Sequence, residues 1–131
     1  MIKVLIVEDD QAIAEMYQMK CELSGVATKH GRNGLEAFAL LEDFTPDIVL
    51  LDLQMPEMGG AEFLTKFRQR PQFINTPVLM LTNTGAEESP ASIWKDGISG
   101  FIVKAECTPS EVINKIKDTI AESTPPPVAS D

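Results

Sequence analysis

Four short apolar runs, separated by stretches long enough for helices, constrain the fold of this 131-residue chain more than any other feature. The runs cover 4–7, 48–51, 78–81 and 101–103, and the polar residues that end them include Glu8, Asp9, Asp52, Thr82 and Lys104. Between the runs, apolar residues recur at the spacing of amphipathic helices. Buried strands that alternate with helices are typical of an α/β fold, with helices on both faces of a mainly parallel sheet.

The alternation predicts five strand–helix units. We expect strands at 2–7, 26–30, 47–52, 77–82 and 100–103, and helices at 11–24, 34–44, 60–69, 89–97 and from 109 onward. Asp10 is expected to cap the first helix, and Gly25 stands where a helix C-terminal glycine belongs. Thr108, Pro109 and Glu111 form a capping box with proline at the first helical position.

Length, composition and charge indicate one domain and exclude several functions. We place the domain at 1–122 and interpret 123–131 as a proline-rich disordered tail or truncated linker. The net charge of -9 argues against direct nucleic-acid binding. No run approaches the roughly 18 apolar residues of a membrane span, so no membrane association is expected. Cys21 and Cys107 lack a metal-ligand pattern and are interpreted as reduced thiols of a cytoplasmic protein.

The polar residues at the strand ends predict a site for a metal ion and a phosphoryl group. In an open α/β sheet, ligands bind just outside the C-terminal edge of the strands. Glu8, Asp9 and Asp52 would repel one another there, and Mg²⁺ relieves such repulsion through hard oxygen ligands. Beside the ion, Thr82 would donate a hydrogen bond to a phosphoryl group and Lys104 would neutralise its charge. A carboxylate in that setting can form an aspartyl-phosphate.

Taken together, these motifs resemble the receiver domain of a two-component response regulator. The resemblance covers residues 2 to about 121 and includes 4–10, 46–52, Met55-Pro56 with Gly60, 77–82 and 100–104. It implies a flavodoxin-like, doubly wound sheet of five parallel strands in the order 2-1-3-4-5, with five helices.

The resemblance also implies a role for each site residue and a signalling function. Asp52 corresponds to the phosphoacceptor, with Glu8, Asp9 and the backbone carbonyl of Gln54 as further Mg²⁺ ligands, Thr82 as the switch hydroxyl, Lys104 as the family's lysine and Phe101 as its aromatic switch. The implied donor is a histidine kinase or phosphotransfer protein. The output is expected through the fourth helix, fifth strand and fifth helix, to a downstream protein or to a missing C-terminal effector domain.

Other functions remain open at this stage. A degenerate receiver would act as an adaptor without being phosphorylated. A Mg²⁺-dependent phosphatase with an aspartate nucleophile typically carries a second Asp two residues later, where this chain has Gln54. A flavodoxin-like nucleotide or flavin module would have a Gly-, Ser- or Thr-rich loop after the first strand, where this chain has acids. One departure from the receiver pattern is Ala105, which stands where the family usually has proline.

Overall fold

Five strands and four α-helices alternate along the residues that the computed structural model describes, which are 2–53, 59–82, 97–104 and 106–123. The strands are β1 (Lys3–Val7), β2 (Ala27–Gly31), β3 (Ile48–Asp52), β4 (Val78–Thr82) and β5 (Gly100–Val103). The α-helices are α1 (Gln11–Leu23), α2 (Gly34–Leu40), α3 (Gly60–Arg68) and α4 (Pro109–Ser123), and a 3₁₀ turn covers Pro71–Phe73. The predicted α/β alternation is therefore confirmed.

The strands form one parallel sheet in the order β2-β1-β3-β4-β5, as the resemblance implied. Val7 pairs with Leu51, and Asp52 pairs with Leu81, so β1, β3 and β4 end at nearly the same level. The helix predicted at 89–97 lies outside the described residues, apart from Gly97. Accordingly, α4 corresponds to the fifth predicted helix.

Helices cover both faces of the sheet, which is why its central strands are apolar on both sides. One buried cluster joins Ile6, Leu50 and Leu81 to α1 and α4. The other joins Leu5, Leu51 and further strand residues to α2 and α3. All five residues of β3, including Asp52, are buried. Because the strands are packed on both sides, the sheet holds the side chains at its C-terminal edge in fixed positions.

Helix ends follow the predicted signals closely. Asp10 Oδ1 accepts a hydrogen bond from Ile13 N at 3.1 Å and caps α1. Gly25 has a φ of 78°, as a helix C-terminal glycine should. At α4, Thr108 Oγ1 accepts from Glu111 N at 3.2 Å, while Glu111 Oε1 accepts from Thr108 N at 2.8 Å. The predicted capping box is thus present in full, and its hydrogen bonds lower the pKa of the Glu111 carboxyl.

The helix predicted at 34–44 is shorter than expected. In the structure α2 ends at Leu40, and the next residues form a tight turn. Leu41 N, Glu42 N and Asp43 N each donate to the carbonyl three residues earlier, which is the 3₁₀ pattern. The apolar periodicity continues through this turn, so periodicity alone extended the helix too far.

The two cysteines form no disulfide. Cys21 is buried, and this burial raises the pKa of its thiol to about 11, whereas Cys107 is partly exposed. Both cysteines are therefore free in the structure. Within the described part of the chain, no helix has the length and apolarity needed to cross a membrane.

Candidate functional site

Three carboxylates meet at the C-terminal edge of the sheet. Glu8 and Asp9 follow β1, and Asp52 is the last residue of β3, the strand beside it. One carboxylate oxygen from each residue lies within 4.8 Å of the others. Glu8 is fully buried and Asp52 is 3% exposed, whereas Asp9 is exposed to solvent. The predicted convergence of these acids is therefore found.

Lys104 crosses the sheet edge to reach two of these carboxylates. It follows β5, three strand spacings or roughly 14 Å from β1 along the edge. Its Nζ lies 2.8 Å from Glu8 Oε1 and 3.2 Å from Asp52 Oδ2. Burial, the largest single influence, disfavours its charge, but the contacts with Glu8 and Asp52 together outweigh burial and raise the pKa of Lys104. The amine therefore stays charged and partly neutralises the acidic cluster.

Glu8 is held by contacts to both carboxylate oxygens and to its main chain. Oε2 accepts a hydrogen bond from Asp10 N at 3.1 Å. Oε1 lies close to Lys104 Nζ. Among the described residues, however, no donor meets the geometry of a hydrogen bond to Oε1. The contact between Glu8 and Lys104 is a charge interaction, because Coulomb attraction at 2.8 Å does not depend on bond angle. Oε1 therefore keeps a lone pair that a cation could use.

The first residue of α3 lies close to the end of β3. Gly60, the first residue of α3, donates its N–H to the Leu53 carbonyl at 3.1 Å. A Cβ atom at Gly60 would overlap the Asp52 carbonyl oxygen and lie 2.8 Å from Leu53 Cα. Only glycine allows the helix to begin so close to the strand end. This contact explains why the predicted motif places a glycine eight residues after Asp52.

Thr82 and Phe101 occupy neighbouring strands beside the acidic cluster. Thr82 ends β4, is 3% exposed, and its carbonyl accepts from Lys104 N at 2.8 Å. Phe101 lies in β5 in register with Met80 and is half-buried against the α2–α3 side of the core. The sheet thus places a hydroxyl-bearing residue on the strand next to Asp52 and an aromatic residue on the following strand.

One predicted site residue, Gln54, proposed as a carbonyl ligand, lies outside the described part of the chain. So does Ala105, which follows Lys104 and departs from the family pattern. Two described residues near the cluster were not predicted. His30 Nε2 lies 2.7 Å from the Glu8 carbonyl oxygen, and Tyr17 is 2% exposed and interacts electrostatically with Lys104. The only sequence signal for His30 was that it is the single histidine of the chain.

The donor set fits Mg²⁺. Carboxylate oxygens are the hard ligands that this ion takes from proteins, usually one or two carboxylates with water completing the octahedron. The uncoordinated lone pair on the buried Glu8 Oε1 and the exposure of Asp9 both suit a partly hydrated ion. No thiolate or imidazole belongs to the cluster, so its chemistry does not favour zinc.

Comparison with known proteins places this chain in one class, the receiver modules of two-component signalling. The chain belongs to the response regulator receiver domain family, whose model matches residues 4–117. Receiver domains of this family are signalling modules of two-component systems. The resemblance inferred from the strand-end motifs is therefore confirmed.

Individual relatives agree with this assignment. The transcriptional regulatory protein SrrA of Staphylococcus aureus is 34% identical over 115 residues, which are 88% of this chain but 46% of SrrA. The chain thus spans about half the length of the curated relatives it matches. Among solved structures, chemotaxis protein CheY4 of Vibrio cholerae has a TM-score of 0.85 at 29% identity, covering 91% of this chain and 98% of CheY4. TrrA of Thermotoga maritima, solved in complex with Mg²⁺-BeF, has a TM-score of 0.77 at 25% identity, covering 91% of this chain and 99% of TrrA.

Proposed function

We propose that the chain is a phosphoacceptor module in which Asp52 receives a phosphoryl group from a partner histidine kinase or phosphotransfer protein. The observation that carries this proposal is the convergence of three carboxylates and a charged lysine at the end of β3. Asp52 combines two features that a nucleophile needs there, namely a fixed position at a strand end and a cation at 3.2 Å.

In the proposed transfer, an oxygen of Asp52 attacks phosphorus while the bond from phosphorus to the donor's imidazole nitrogen breaks. The departing nitrogen keeps the electron pair, and an acyl phosphate forms on Asp52. Lys104 already lies beside Asp52 and would follow the new negative charge, while the Thr82 hydroxyl would donate a hydrogen bond to a phosphoryl oxygen. Self-dephosphorylation would be slow, so the module acts as a signal carrier rather than as an enzyme.

The proposed metal ligands are Glu8, Asp9, Asp52 and the backbone carbonyl of Gln54. Bound there, Mg²⁺ would supply positive charge to the oxygens of the transferred group. The Mg²⁺-BeF complex of TrrA supports this choice of ion by similarity. Within the chain, Glu8 holds Lys104 in place and Asp9 offers an exposed carboxylate at the mouth of the site.

The proposed output is a two-state switch. Phosphorylation adds about -1.5 to -2 charges at the edge of the sheet. We infer that Thr82 moves toward the new oxygens and that Phe101 turns into the space beside it, which reshapes the face formed by the predicted fourth helix, β5 and α4. Because the carbonyl of Thr82 is hydrogen-bonded to Lys104 N, the two strand ends would respond together.

The proposed partners follow from the length of the match. Since the chain spans 46% of SrrA, the signal would pass either to a downstream protein or to a C-terminal effector domain. Residues 1–122 would then be the receiver domain and 123–131 its tail or linker. The two free thiols fit a cytoplasmic setting, where such donors present their phosphohistidine.

Incubation with acetyl phosphate and Mg²⁺, followed by intact-mass measurement, tests the proposal. We expect one phosphate adduct that is lost on treatment with hydroxylamine, as an acyl phosphate should be. The adduct should be absent in Asp52→Asn and on addition of a chelator, and retained in Asp118→Asn, which changes an exposed aspartate of α4 in the same way. Failure of the wild type to form an adduct, with acetyl phosphate or with histidine kinases, would support the adaptor alternative instead.

A further inference from the structure

His30 makes a hydrogen bond that reaches into the acidic site from the edge of the sheet. It is the next-to-last residue of β2 and is in register with Ile6 of the neighbouring β1. Its ring Nε2 lies 2.7 Å from the backbone carbonyl oxygen of Glu8. A carbonyl oxygen only accepts hydrogen bonds, so Nε2 must carry a proton and donate it.

This bond extends the β1–β2 ladder beyond the last paired residues. Val7 and Gly31 form the final pair, and Glu8 N still donates to the Gly31 carbonyl at 3.1 Å. Because β2 ends there, the donor that reaches the Glu8 carbonyl is a side chain rather than a strand amide. Consecutive residues of β2 therefore hold both the N–H and the C=O of Glu8.

The Glu8 carbonyl belongs to the peptide group that joins Glu8 to Asp9. Fixing the plane of that peptide restricts the ψ angle of Glu8 and the φ angle of Asp9. Asp9 is exposed, so the direction of its carboxylate depends on its main chain more than on packing. The side chain of Glu8, by contrast, is already held by Asp10 N and Lys104.

We propose that His30 is a positioning residue of the metal site: its hydrogen bond to the Glu8 carbonyl fixes the Glu8–Asp9 peptide and so aims the Asp9 carboxylate at the bound Mg²⁺. This role rests on the proposed phosphoacceptor function. It gives the edge strand β2, which contributes no carboxylate to the cluster, an indirect part in metal binding. Partners that orient metal ligands commonly affect metal affinity when they are removed.

Calorimetric titration of the full chain with Mg²⁺ tests the proposal through two substitutions of His30. Removing the donor in His30→Phe should weaken Mg²⁺ binding about three- to tenfold, as expected for the loss of one orienting hydrogen bond. His30→Gln keeps an amide N–H at similar reach and should stay within about twofold of the wild type. Thr28→Val is the matched control, because it alters another β2 side chain, whose contact is with Gln18 rather than Glu8.

A second measurement uses the metal-free wild type, so its result does not depend on whether the variants fold. A long-range ¹H–¹⁵N spectrum of the wild-type imidazole should show the proton of His30 on Nε2. A proton on Nδ1 alone, or equal Mg²⁺ affinity in His30→Phe and the wild type, refutes the positioning role. If the wild type binds Mg²⁺ and forms the phosphate adduct while His30→Phe is unchanged, only this inference fails. If the wild type binds no Mg²⁺, the proposed phosphoacceptor function fails with it.

Discussion

Replacing Lys104 with methionine should destabilise the metal-free protein strongly and in a pH-dependent way. The substitution keeps an unbranched apolar side chain but removes the only positive charge that the described contacts place between Glu8 and Asp52. At 2.8 and 3.2 Å, each attraction is worth about 5 to 6 kcal/mol before desolvation, for an effective dielectric constant of about 20. Breaking a buried ion pair by removing one partner typically costs about 3–5 kcal/mol.

The raised pKa of Lys104 sets the pH range of this cost. The folded protein holds the Lys104 proton more tightly than the unfolded chain does, so the charge contributes stability below the ordinary lysine pKa of 10.5, and this contribution is lost as pH rises through the folded pKa. We therefore expect Lys104→Met to lose about 3–5 kcal/mol at about pH 7.5 and less at about pH 11.

Urea unfolding followed by circular dichroism at both pH values measures these losses. Lys66→Met is the matched control, because Lys66 pairs with Glu62 at 3.4 Å but both side chains are more than half exposed. Its cost should stay below about 1 kcal/mol at either pH. Added Mg²⁺ should stabilise Lys104→Met more than the wild type, because the variant lacks a competing positive charge. Equal losses for the two variants at about pH 7.5, or a loss at Lys104 that does not shrink at about pH 11, would refute the reasoning.

Two further predictions follow from packing and from titration. Gly31→Ala should lower the free energy of unfolding by about 1–3 kcal/mol, because the new Cβ would lie 2.8 Å from Ala37 N. Gly100→Ala should lower it less, because the nearest atom to its new Cβ would be 3.6 Å away. Urea unfolding of the two variants measures the difference. Burial raises the pKa of Tyr17, so the folded state keeps this proton longer than the unfolded state and loses stability as pH rises above about 10. Tyr17→Phe should reduce that alkaline loss in unfolding measurements, and an unchanged slope would contradict the assigned cause.

Much of the fold could be predicted because its signals are local. A buried strand in a parallel sheet must be apolar on both faces, and the runs of β1, β3, β4 and β5 carry that signal in their own residues. The capping residues Asp10 and Thr108 likewise accept hydrogen bonds from backbone N–H groups only three residues later in the chain. The end of α2 was missed because the apolar period continues through the turn that follows Leu40.

The candidate site was predictable in composition but not in its contacts. Parallel strands end at one edge, so the sequence indicated that Glu8, Asp9 and Asp52 would meet. The position of Lys104 depends on a side chain that crosses from β5 to β1, and no sequence pattern encodes that path. His30 was missed for a related reason, since its partner is a backbone carbonyl on a neighbouring strand, 22 residues away in the chain.

The sequence by itself determined the α/β class, the strand-end acids and the helix caps, because these depend on residue type and on spacing along the chain. The tertiary structure alone decided which oxygen of Glu8 contacts Lys104, how closely Gly60 approaches Asp52, and which side chain completes the ladder at Glu8. These contacts join strands that are distant in sequence. Their distances follow from strand order, register and packing, which are properties of the assembled sheet rather than of any segment within it.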